Sequence, residues 1–454
     1  MPGFYITNCK PVKMERHSSF ACVEEGFQTD GFTFHRITRD QFMDDKLFFE
    51  NDEYAVVLES VIFNKAELME RYGMLSFKAT VLKMISENFE TFFAKFKGMF
   101  SGAVYDRKAG KMLAFADQIG NRAVFYYADG ESLIIGSQLD SVTDTMKEND
   151  IPCLPNEDAM RFFLAYGSWM DERTGIKNVY RILPGDCLLW EAGTWKINTY
   201  HSFREDENLN LSTDEAIDLL DSSFKKAVKN AIDKNAEYGY TGILDISGGA
   251  DSRMIAYAAN ELGCENILGC HYSQSGSYEE KASEAVAKRL GIPLVIQHLD
   301  DAQFLEEADV ITRMNSGTAY YCGITGGKRL LESLREYNPG IEFTGLLGNV
   351  LDGGMVTEHG DEIPSLEHGQ FVVCPTVDRT GMELDLPLLS RFKTNDMFWL
   401  YTRGMLCGMS TFLTRQNYVE PYTPYGDTEF IQAWLSIPSV SYTHLRAHET
   451  RGNL

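Results

Sequence analysis

The sequence predicts an α+β amino-terminal domain with layered antiparallel sheets, followed by an α/β domain with a doubly wound parallel sheet. Short β-like runs separated by turn residues dominate the first two hundred residues, whereas strand and helix patterns alternate after residue 212. A third observation is local: the string Ser-Gly-Gly-Ala-Asp-Ser at Ser247–Ser252 lies between a hydrophobic run and a helical pattern. Together these patterns indicate two domains of different class.

Five runs in the amino-terminal part have the composition of short strands. They are Tyr54–Phe63, Gly102–Tyr105, Met112–Ala116, Ala123–Tyr127 and Leu133–Gly136. One stretch of helical period, Phe77–Phe96, predicts a helix among them. Short strands with few helices favour an antiparallel α+β arrangement.

A polar stretch at 202–210 separates the two patterns, and we expect the domain boundary there. The first domain would span residues 1–205 and the second residues 206–440. Ser212 and Glu215 have the spacing of a capping box, which predicts a helix that continues to about Asp233.

The second domain alternates strand and helix patterns in chain order. The predicted elements are strand Tyr240–Ile246, helix Asp251–Leu262, strand Asn266–Tyr272, helix Tyr278–Leu290 and strand Leu294–Leu299. Ser277 and Glu280 predict a second capping box, and Gly291 ends the helix that follows it. This alternation is typical of a doubly wound sheet with Ser247–Ser252 as the loop after its first strand.

The loop Ser247–Ser252 predicts a binding site for an anion. A strand, a Gly-Gly turn and a helix start present backbone N–H groups to phosphate oxygens. Asp251 would repel a bare phosphate, so we expect Mg²⁺ to bridge it to the pyrophosphate of ATP. The string matches neither G-x-x-x-x-G-K-[ST] nor G-x-G-x-x-G. The alternative is a turn that merely uses small residues.

Composition limits the partners. The formal net charge of the 454 residues is −24, which disfavours DNA or RNA as a partner. No apolar run has the length of a membrane span, and the start lacks a signal-peptide pattern. The nine cysteines have no metal-ligand spacing. We therefore expect reduced thiols, a cytoplasmic location and neither a membrane nor a nucleic-acid partner.

The string Ser247–Ser252 resembles the SGGxDS loop of the PP-loop ATP pyrophosphatases, in the form used by asparagine synthetases and β-lactam synthetases. Asp117–Arg122, Ile182–Gly185 and Glu279–Ala282 resemble further segments of that superfamily, so the likeness covers nearly the whole chain. It implies an Ntn-hydrolase-like first domain, and a second domain in which the backbone at Tyr272 meets adenine. The nucleotide-binding residues that it implies are Ile246, Ser247, Gly248, Gly249, Asp251, Ser252, Tyr272, Thr344 and Gly345.

The first domain departs from the glutaminase chemistry that the resemblance implies. That chemistry needs a cysteine after the initiator methionine, whereas Pro2 has neither a thiol nor a primary amine and Cys9 is internal. The pair that would form the oxyanion hole falls on Glu59–Ser60, and a carboxylate repels a developing oxyanion. Asn64 is kept and is expected to be structural. We therefore expect an inactive glutaminase.

The second domain departs at its expected magnesium site. Thr344–Gly354 resembles the SGxGxDExxGG loop, but Asn349 stands where the resemblance implies an aspartate and Val350 where it implies a glutamate. The expected metal ligands are therefore Asp251 and Asn349, with a lower affinity for Mg²⁺. Asp352 either compensates or is a solvated loop acid.

Glu420 and Pro424–Asp427 resemble the ExRxPFLD segment of the superfamily. By resemblance to β-lactam synthetases, Glu420 is the candidate catalytic acid–base residue, and a solvated glutamate is the alternative. Arg403 and Arg415 are candidate clamps for phosphate or carboxylate, although ion pairing is the plainer expectation.

Residues 441–454 match nothing in the superfamily and lack a periodic apolar pattern. We expect them to be a foreign, adapter-derived tail. The native domain would then continue with further helices, including a pyrophosphate-binding lysine. Without these helices, the face that carries Phe430, Trp434 and Leu435 should be exposed.

The leading expectation is an ATP-dependent ligase that adenylates a carboxylate and forms an amide, with ATP and Mg²⁺ as cofactors. Its partners would be a small-molecule or peptide carboxylate and ammonia or another amine, and a homodimer is possible. The alternatives are a non-catalytic nucleotide-binding scaffold and a tRNA-modifying PP-loop enzyme, of which the net charge disfavours the second.

Overall fold

The computed structural model describes residues 2–14, 20–206, 208, 210–319, 327–351, 364–366, 372–384 and 386–437. Its amino-terminal half is built from twelve described strands. They are β1 (Gly3–Thr7), β2 (Cys22–Thr29), β3 (Phe32–Arg39), β4 (Leu47–Glu50), β5 (Tyr54–Ile62), β6 (Gly98–Asp106), β7 (Lys111–Ala116), β8 (Phe125–Ala128), β9 (Leu133–Gly136), β10 (Tyr180–Arg181), β11 (Asp186–Glu191) and β12 (Thr194–Thr199). The helices of this half are α1 (Lys65–Tyr72), α2 (Phe77–Glu87), α3 (Leu139–Glu148) and α4 (Glu157–Tyr166).

These strands form two antiparallel sheets that pack face to face. The strand order is β10-β8-β9-β1-β3-β2 in one sheet and β12-β11-β7-β6-β5-β4 in the other. Because side chains alternate along a strand, Phe4 and Phe34 of the first sheet meet Val57 and Ala103 of the second. Helix α2 covers the outer face of the second sheet and α3 that of the first. The layered antiparallel arrangement agrees with the prediction.

The carboxyl-terminal half contains the remaining elements. Its strands are β13 (Thr241–Asp245), β14 (Ile267–Ser273), β15 (Leu294–His298), β16 (Pro339–Phe343) and β17 (Glu420–Tyr422). Its helices are α5 (Thr213–Tyr238), α6 (Ala250–Glu261), α7 (Tyr278–Leu290), α8 (Ala308–Met314), α9 (Lys328–Ser333), α10 (Gly348–Leu351), α11 (Leu386–Leu389), α12 (Asn395–Trp399), α13 (Phe412–Arg415) and α14 (Thr428–Leu435), with a π-helix at Leu400–Gly408.

The five strands form one parallel sheet in the order β15-β14-β13-β16-β17. Ile243 and Leu244 of β13 belong to hydrophobic clusters on opposite faces, so both faces of the sheet are covered. In the sheet, β14 lies beside β13 on one side and β15 follows it, whereas β16 and then β17 lie on the other side of β13. Strand β13 is therefore the point at which the strand order reverses, and ligands bind outside the carboxyl ends of strands at such points.

Two predicted helices differ in length from the observed ones. The stretch Phe77–Phe96 is not one helix, because α2 ends at Glu87 and a separate 3₁₀ turn follows at Phe92–Lys95. Helix α5 continues past Asp233 to Tyr238 and ends where Gly239 adopts a φ of 71°.

The two predicted capping boxes have different outcomes. Both halves of the Ser212–Glu215 box form at the start of α5. At Ser277 only one half forms: its hydroxyl accepts the N–H of Glu280, while the Glu280 carboxylate accepts the N–H of Gly276 instead. The start of α7 is thus capped by a variant of the predicted motif.

The expectation of an exposed apolar face on α14 is wrong for Phe430. Its ring is 4 % exposed and lies 5.3 Å from the ring of Phe224 on α5. Trp434 and Leu435 are partly buried against the same hydrophobic cluster. Residues 441–454 lie outside the described residues, as does Asp352.

The segment Asp117–Arg122 of the amino-terminal half contacts the carboxyl-terminal half. The Asp117 carboxylate accepts backbone N–H groups from Phe100, Ile119 and Asn121, which fixes the turn. The carbonyl of Asn121 then accepts a hydrogen bond from Gln416, across the contact between the halves. This motif therefore has a structural role in the described fold.

Candidate functional site

A cleft of about 410 Å³ opens at the carboxyl ends of β13, β14 and β16. The loop after β13 and the loop after β16 form its two walls, at the position where the strand order reverses. The cleft brings together most of the predicted nucleotide-binding residues: Ile246, Ser247, Gly249, Asp251, Ser252, Tyr272, Thr344 and Gly345. The remaining predicted residue, Gly248, lies between Ser247 and Gly249 in the same loop.

The loop after β13 is held by its own hydroxyl groups. Ser252 Oγ accepts the N–H of Ser247 at 3.1 Å, and the two serine hydroxyls lie 2.9 Å apart. Ser247 Oγ also accepts the N–H of Gly249 at 3.1 Å. Gly249 precedes α6 without a side-chain cap, so the first N–H groups of the helix start at the cleft and remain available to an anion.

Glu279 contributes a carboxylate to the mouth of the cleft. Its Oε2 accepts the N–H of Gly248 at 2.6 Å. Glu279 lies in the first turn of α7, which follows the Ser247–Ser252 loop after α6 and β14. A carboxylate thus holds one of the backbone donors that the sequence assigns to a phosphate.

Asp251 lies between the two walls of the cleft. A Cβ placed on Gly348 would lie 2.4 Å from Asp251 Cγ, so the second loop approaches this carboxylate as closely as a glycine allows. Leu347, which directly precedes Gly348 in this loop, adopts a φ of 74°, and this is a strained conformation for a bulky side chain. The described loop geometry therefore fixes the position of Asp251.

Only one of the two predicted metal ligands lines the cleft. Asp251 lines the cleft, whereas Asn349 is exposed and does not line it. Glu279 is a second carboxylate in the cleft, and carboxylate oxygens are the ligands that Mg²⁺ prefers. No three His, Cys, Asp or Glu side chains of the described residues lie close enough to hold a metal ion by themselves. A Mg²⁺ here would need oxygens from a bound phosphate as well.

A network of charged side chains forms the floor of the cleft. Arg415 Nη1 pairs with Glu342 and lies 3.3 Å from Asp245 Oδ2, while its Nη2 donates to the hydroxyl of Tyr272 at 3.3 Å. Cys270 Sγ donates to Asp245 Oδ1 at 3.2 Å. Arg415 is thus an internal counter-ion, which agrees with ion pairing rather than with a free clamp.

Burial shifts the titration of this network. Burial, together with the nearby Asp245 charge, raises the pKa of Glu342 well above its usual value, although Arg415 opposes the shift. Burial alone would lower the pKa of Arg415, but the carboxylates of Glu342 and Asp245 raise it well above its usual value. Burial raises the pKa of Tyr272 to about 12. The floor of the cleft therefore keeps a cation and a neutral phenol at neutral pH.

Glu420, the predicted catalytic residue, lies outside the cleft. It is the first residue of β17 and pairs in register with Ile341, so it lies before the carboxyl ends of these strands at Phe343 and Tyr422. Its carboxylate is buried and binds Arg122 and Lys46, with Lys46 Nζ at 3.2 Å from Oε1. Burial would raise the pKa of Glu420, but Arg122, Lys46 and Arg39 hold it below its usual value. This environment is that of a structural ion pair between the two halves.

Glu59, at a position implied for the oxyanion hole, and Asn64, expected to be structural, are both held by contacts within the amino-terminal half. Glu59 is buried, and its Oε2 accepts the hydroxyl of Thr38 at 2.6 Å while Oε1 lies 3.3 Å from Arg36 Nη1. Asn64 bonds the backbone of Lys95 and Lys97 at 3.0 Å through its two amide atoms.

Sequence reasoning missed Asp245 in the lining of the cleft and Glu342, which is buried behind it. Each is an acidic residue inside an otherwise apolar strand pattern, and this exception is the signal that could have found them. Arg403, the other candidate clamp, does not line the cleft. Within the described residues, no helix combines the length and apolar composition that crossing a lipid bilayer requires.

Comparison with known proteins gives matches in the amidotransferase and asparagine synthetase groups. Residues 40–201 match the glutamine amidotransferase domain family. A putative glutamine-hydrolysing asparagine synthetase 2 from Methanocaldococcus jannaschii is 23 % identical over 167 residues, which are 35 % of this chain and 32 % of that protein. The glutamine-hydrolysing asparagine synthetase 3 of Bacillus subtilis is 23 % identical over 297 residues, which are 63 % of this chain and 45 % of that protein. The chain thus spans less than half the length of these relatives.

Two solved structures are similar over part of the chain. Glutamine phosphoribosylpyrophosphate amidotransferase from B. subtilis, complexed with ADP and GMP, has a TM-score of 0.28 at 10 % identity and covers 65 % of this chain and 59 % of that chain. An allosteric regulatory enzyme of purine biosynthesis has the same TM-score and identity, and the match covers 65 % of this chain and 74 % of that chain. Residues 40–201 are thus similar to glutamine amidotransferase domains, and parts of the chain are similar to asparagine synthetases.

Proposed function

We propose that this protein is an ATP-dependent ligase that activates a carboxylate as its adenylate and converts it to an amide. A carboxylate oxygen of the substrate would attack the α-phosphorus of ATP, and the bond to pyrophosphate would break. The nitrogen of ammonia or another amine would then attack the acyl carbon and displace AMP. The observation that carries this proposal is the convergence of the Ser247–Ser252 and Thr344–Gly345 loops on one cleft.

The phosphate end of the cleft supports the first half of the reaction. The first N–H groups of α6 are available to the leaving pyrophosphate, and the N–H of Gly248 would join them once the anion displaced the Glu279 carboxylate. The hydroxyls of Ser247 and Ser252, which hold the loop, keep these donors in place before the ligand binds.

Mg²⁺ is the proposed cofactor, because the phosphate end of the cleft carries carboxylates. Asp251 would hold the metal together with phosphate oxygens, and Glu279 is a further carboxylate of the lining. When bound, the metal would neutralise charge on the phosphates. Asn349, which is exposed, is not part of this proposed site.

We propose that the nitrogen does not come from glutamine hydrolysis by this chain. The buried carboxylate of Glu59, which stands where the resemblance implies an oxyanion-hole residue, supports this proposal because it would repel a developing negative charge. The nitrogen would come instead from free ammonia, from ammonia that another protein releases, or from an amine substrate. Purified protein should therefore incorporate ¹⁵N from ammonium and not from amide-labelled glutamine.

Carboxylate-dependent exchange of labelled pyrophosphate into ATP tests the first half of the reaction. The exchange reports adenylate formation and needs no nitrogen nucleophile, so it can be run against a panel that includes aspartate, sugar acids and acidic peptides. Exchange with at least one carboxylate would support the ligase. ATP binding without exchange across the panel would favour the second candidate, a non-catalytic nucleotide-binding protein, which Asn349 and Val350 at the two expected acidic positions suggest.

A further inference from the structure

The floor of the cleft contains a carboxylate that the proposed chemistry does not use. Asp245 is the last residue of β13, and its side chain is 22 % exposed into the lining of the cleft. The phosphate loop begins two residues later, at Ser247. Asp245 therefore lies beside the phosphate site rather than in it.

Asp245 is held in one orientation by its neighbours. Cys270 Sγ donates to Oδ1, and Arg415 Nη1 lies 3.3 Å from Oδ2. The side chain of Glu342 also hydrogen-bonds with Asp245. A carboxylate has about four lone-pair sites, so these three contacts leave about one acceptor site for a ligand. Arg415 is itself fixed by Glu342 and Tyr272, so the acceptor is preorganised.

A hydroxyl without a partner lies on the adjacent strand end. Leu244 pairs in register with Phe343, so Asp245 and Thr344 are neighbours at the ends of β13 and β16. Thr344 is 5 % exposed and lines the cleft, and its Oγ1 is buried with no hydrogen-bond partner among the described residues. A buried hydroxyl left unpaired costs free energy, which a ligand atom would recover.

We infer that Asp245 is a specificity-determining residue that accepts a hydrogen bond from the exocyclic amino group of the nucleobase. This inference rests on the proposed binding of ATP and extends it to how the base is read. The carboxylate of Asp245 and the hydroxyl of Thr344 together offer an acceptor and a donor side by side. The 6-amino group and N1 of adenine present the complementary pair.

The charge of the floor agrees with this assignment. Arg415 contacts both Asp245 and Glu342, and the charge of the Asp245 carboxylate alone balances that of the guanidinium, so the floor has no excess positive charge to attract phosphate. The partly exposed carboxylate of Asp245 can accept a further hydrogen bond, and bonds to a charged acceptor are stronger than neutral ones. The phosphates would stay at the Gly248–Gly249 end.

The test compares ATP with purine riboside 5′-triphosphate, which has hydrogen in place of the 6-amino group and keeps N1 as an acceptor. We expect the wild-type protein to bind ATP about tenfold more tightly, because a hydrogen bond to a charged acceptor is lost with the analogue. Asp245→Leu, of similar volume, should reduce this ratio to about one. The ratio is unaffected by a uniform loss of folded protein.

Two threonine variants and one further ligand complete the experiment. Thr344→Val should weaken both nucleotides, whereas Thr411→Val should not, because the Thr411 hydroxyl already donates to the carbonyl of Gly408 at 2.7 Å. Inorganic pyrophosphate should bind Asp245→Leu and wild type equally. Equal affinity of the wild type for ATP and the analogue would overturn the role of Asp245. Failure of pyrophosphate and ATP alike to bind the wild type would instead overturn the proposed function.

Discussion

The Oε2 atom of Glu279 accepts the backbone N–H of Gly248 at 2.6 Å, so a carboxylate from α7 occupies a donor of the glycine loop. A Cβ on Gly248 would lie 2.9 Å from the same oxygen, which shows how closely the two approach. A bound pyrophosphate would compete with this carboxylate for the N–H and would be repelled by its charge.

Glu279→Gln should therefore raise the affinity for pyrophosphate and for ATP in the absence of metal. We expect about a fivefold increase, because removing one exposed like charge near an anion is worth about 1 kcal/mol. Isothermal titration calorimetry in the presence of EDTA measures this affinity. Glu284→Gln, which makes the same charge change on the same helix, is the matched control. An equal response of the two variants would mean that the contact does not compete with the anion.

Asp251→Asn should abolish most of the magnesium-dependent binding of ATP. One carboxylate ligand is lost while the partly exposed side chain contributes little packing, so the melting temperature should stay at the wild-type value. We expect pyrophosphate exchange to fall by about tenfold or more. Wild-type exchange by this variant would place the metal elsewhere.

Gly348→Ala should disturb Asp251 from the opposite wall. The new Cβ would lie 2.4 Å from Asp251 Cγ, so the carboxylate or the loop must move. Magnesium-dependent affinity for ATP should fall severalfold, as measured by titration with ATP at fixed Mg²⁺. Gly408→Ala is the control, because its Cβ would meet its nearest atoms at 3.5 Å, an ordinary contact. If both variants bind alike, the close approach is not needed for the site.

Glu420→Gln should destabilise the fold. The substitution leaves Arg122 and Lys46 buried without their shared anion, which costs about 3 kcal/mol in the free energy of unfolding. Chemical denaturation measures this loss. Pyrophosphate exchange by the folded fraction should remain, because Glu420 lies outside the cleft. Loss of exchange at unchanged stability would return Glu420 to a catalytic role.

The same residue predicts a pH dependence. The pKa of Glu420 is lowered in the fold from its ordinary value of 4.5, because the three neighbouring cations outweigh burial. Its contribution to stability is therefore present above pH 4.5 and is lost as the pH falls through the folded pKa. The free energy of unfolding of the wild type should thus decline more steeply below pH 4.5 than that of Glu420→Gln.

The local patterns of the sequence determined most of the parallel sheet. Strand β13, helix α6 and strand β14 lie within one or two residues of their predicted bounds, because hydrophobic period and glycine stops act between near neighbours. The loop Ser247–Ser252 follows from the same local signals. The break of the predicted helix at Asn88 was missed, since its apolar spacing continues across the break.

Only the tertiary structure decided which side chains meet. Asp245 and Arg415 are 170 positions apart and become partners because the end of β13 and the end of α13 meet at the cleft. The resemblance assigned Glu420 to catalysis, yet its place at the beginning of β17 puts it among buried cations of the amino-terminal half. Strand register and the packing of the two halves fix these contacts, and neither is encoded in the spacing of residues along a single element.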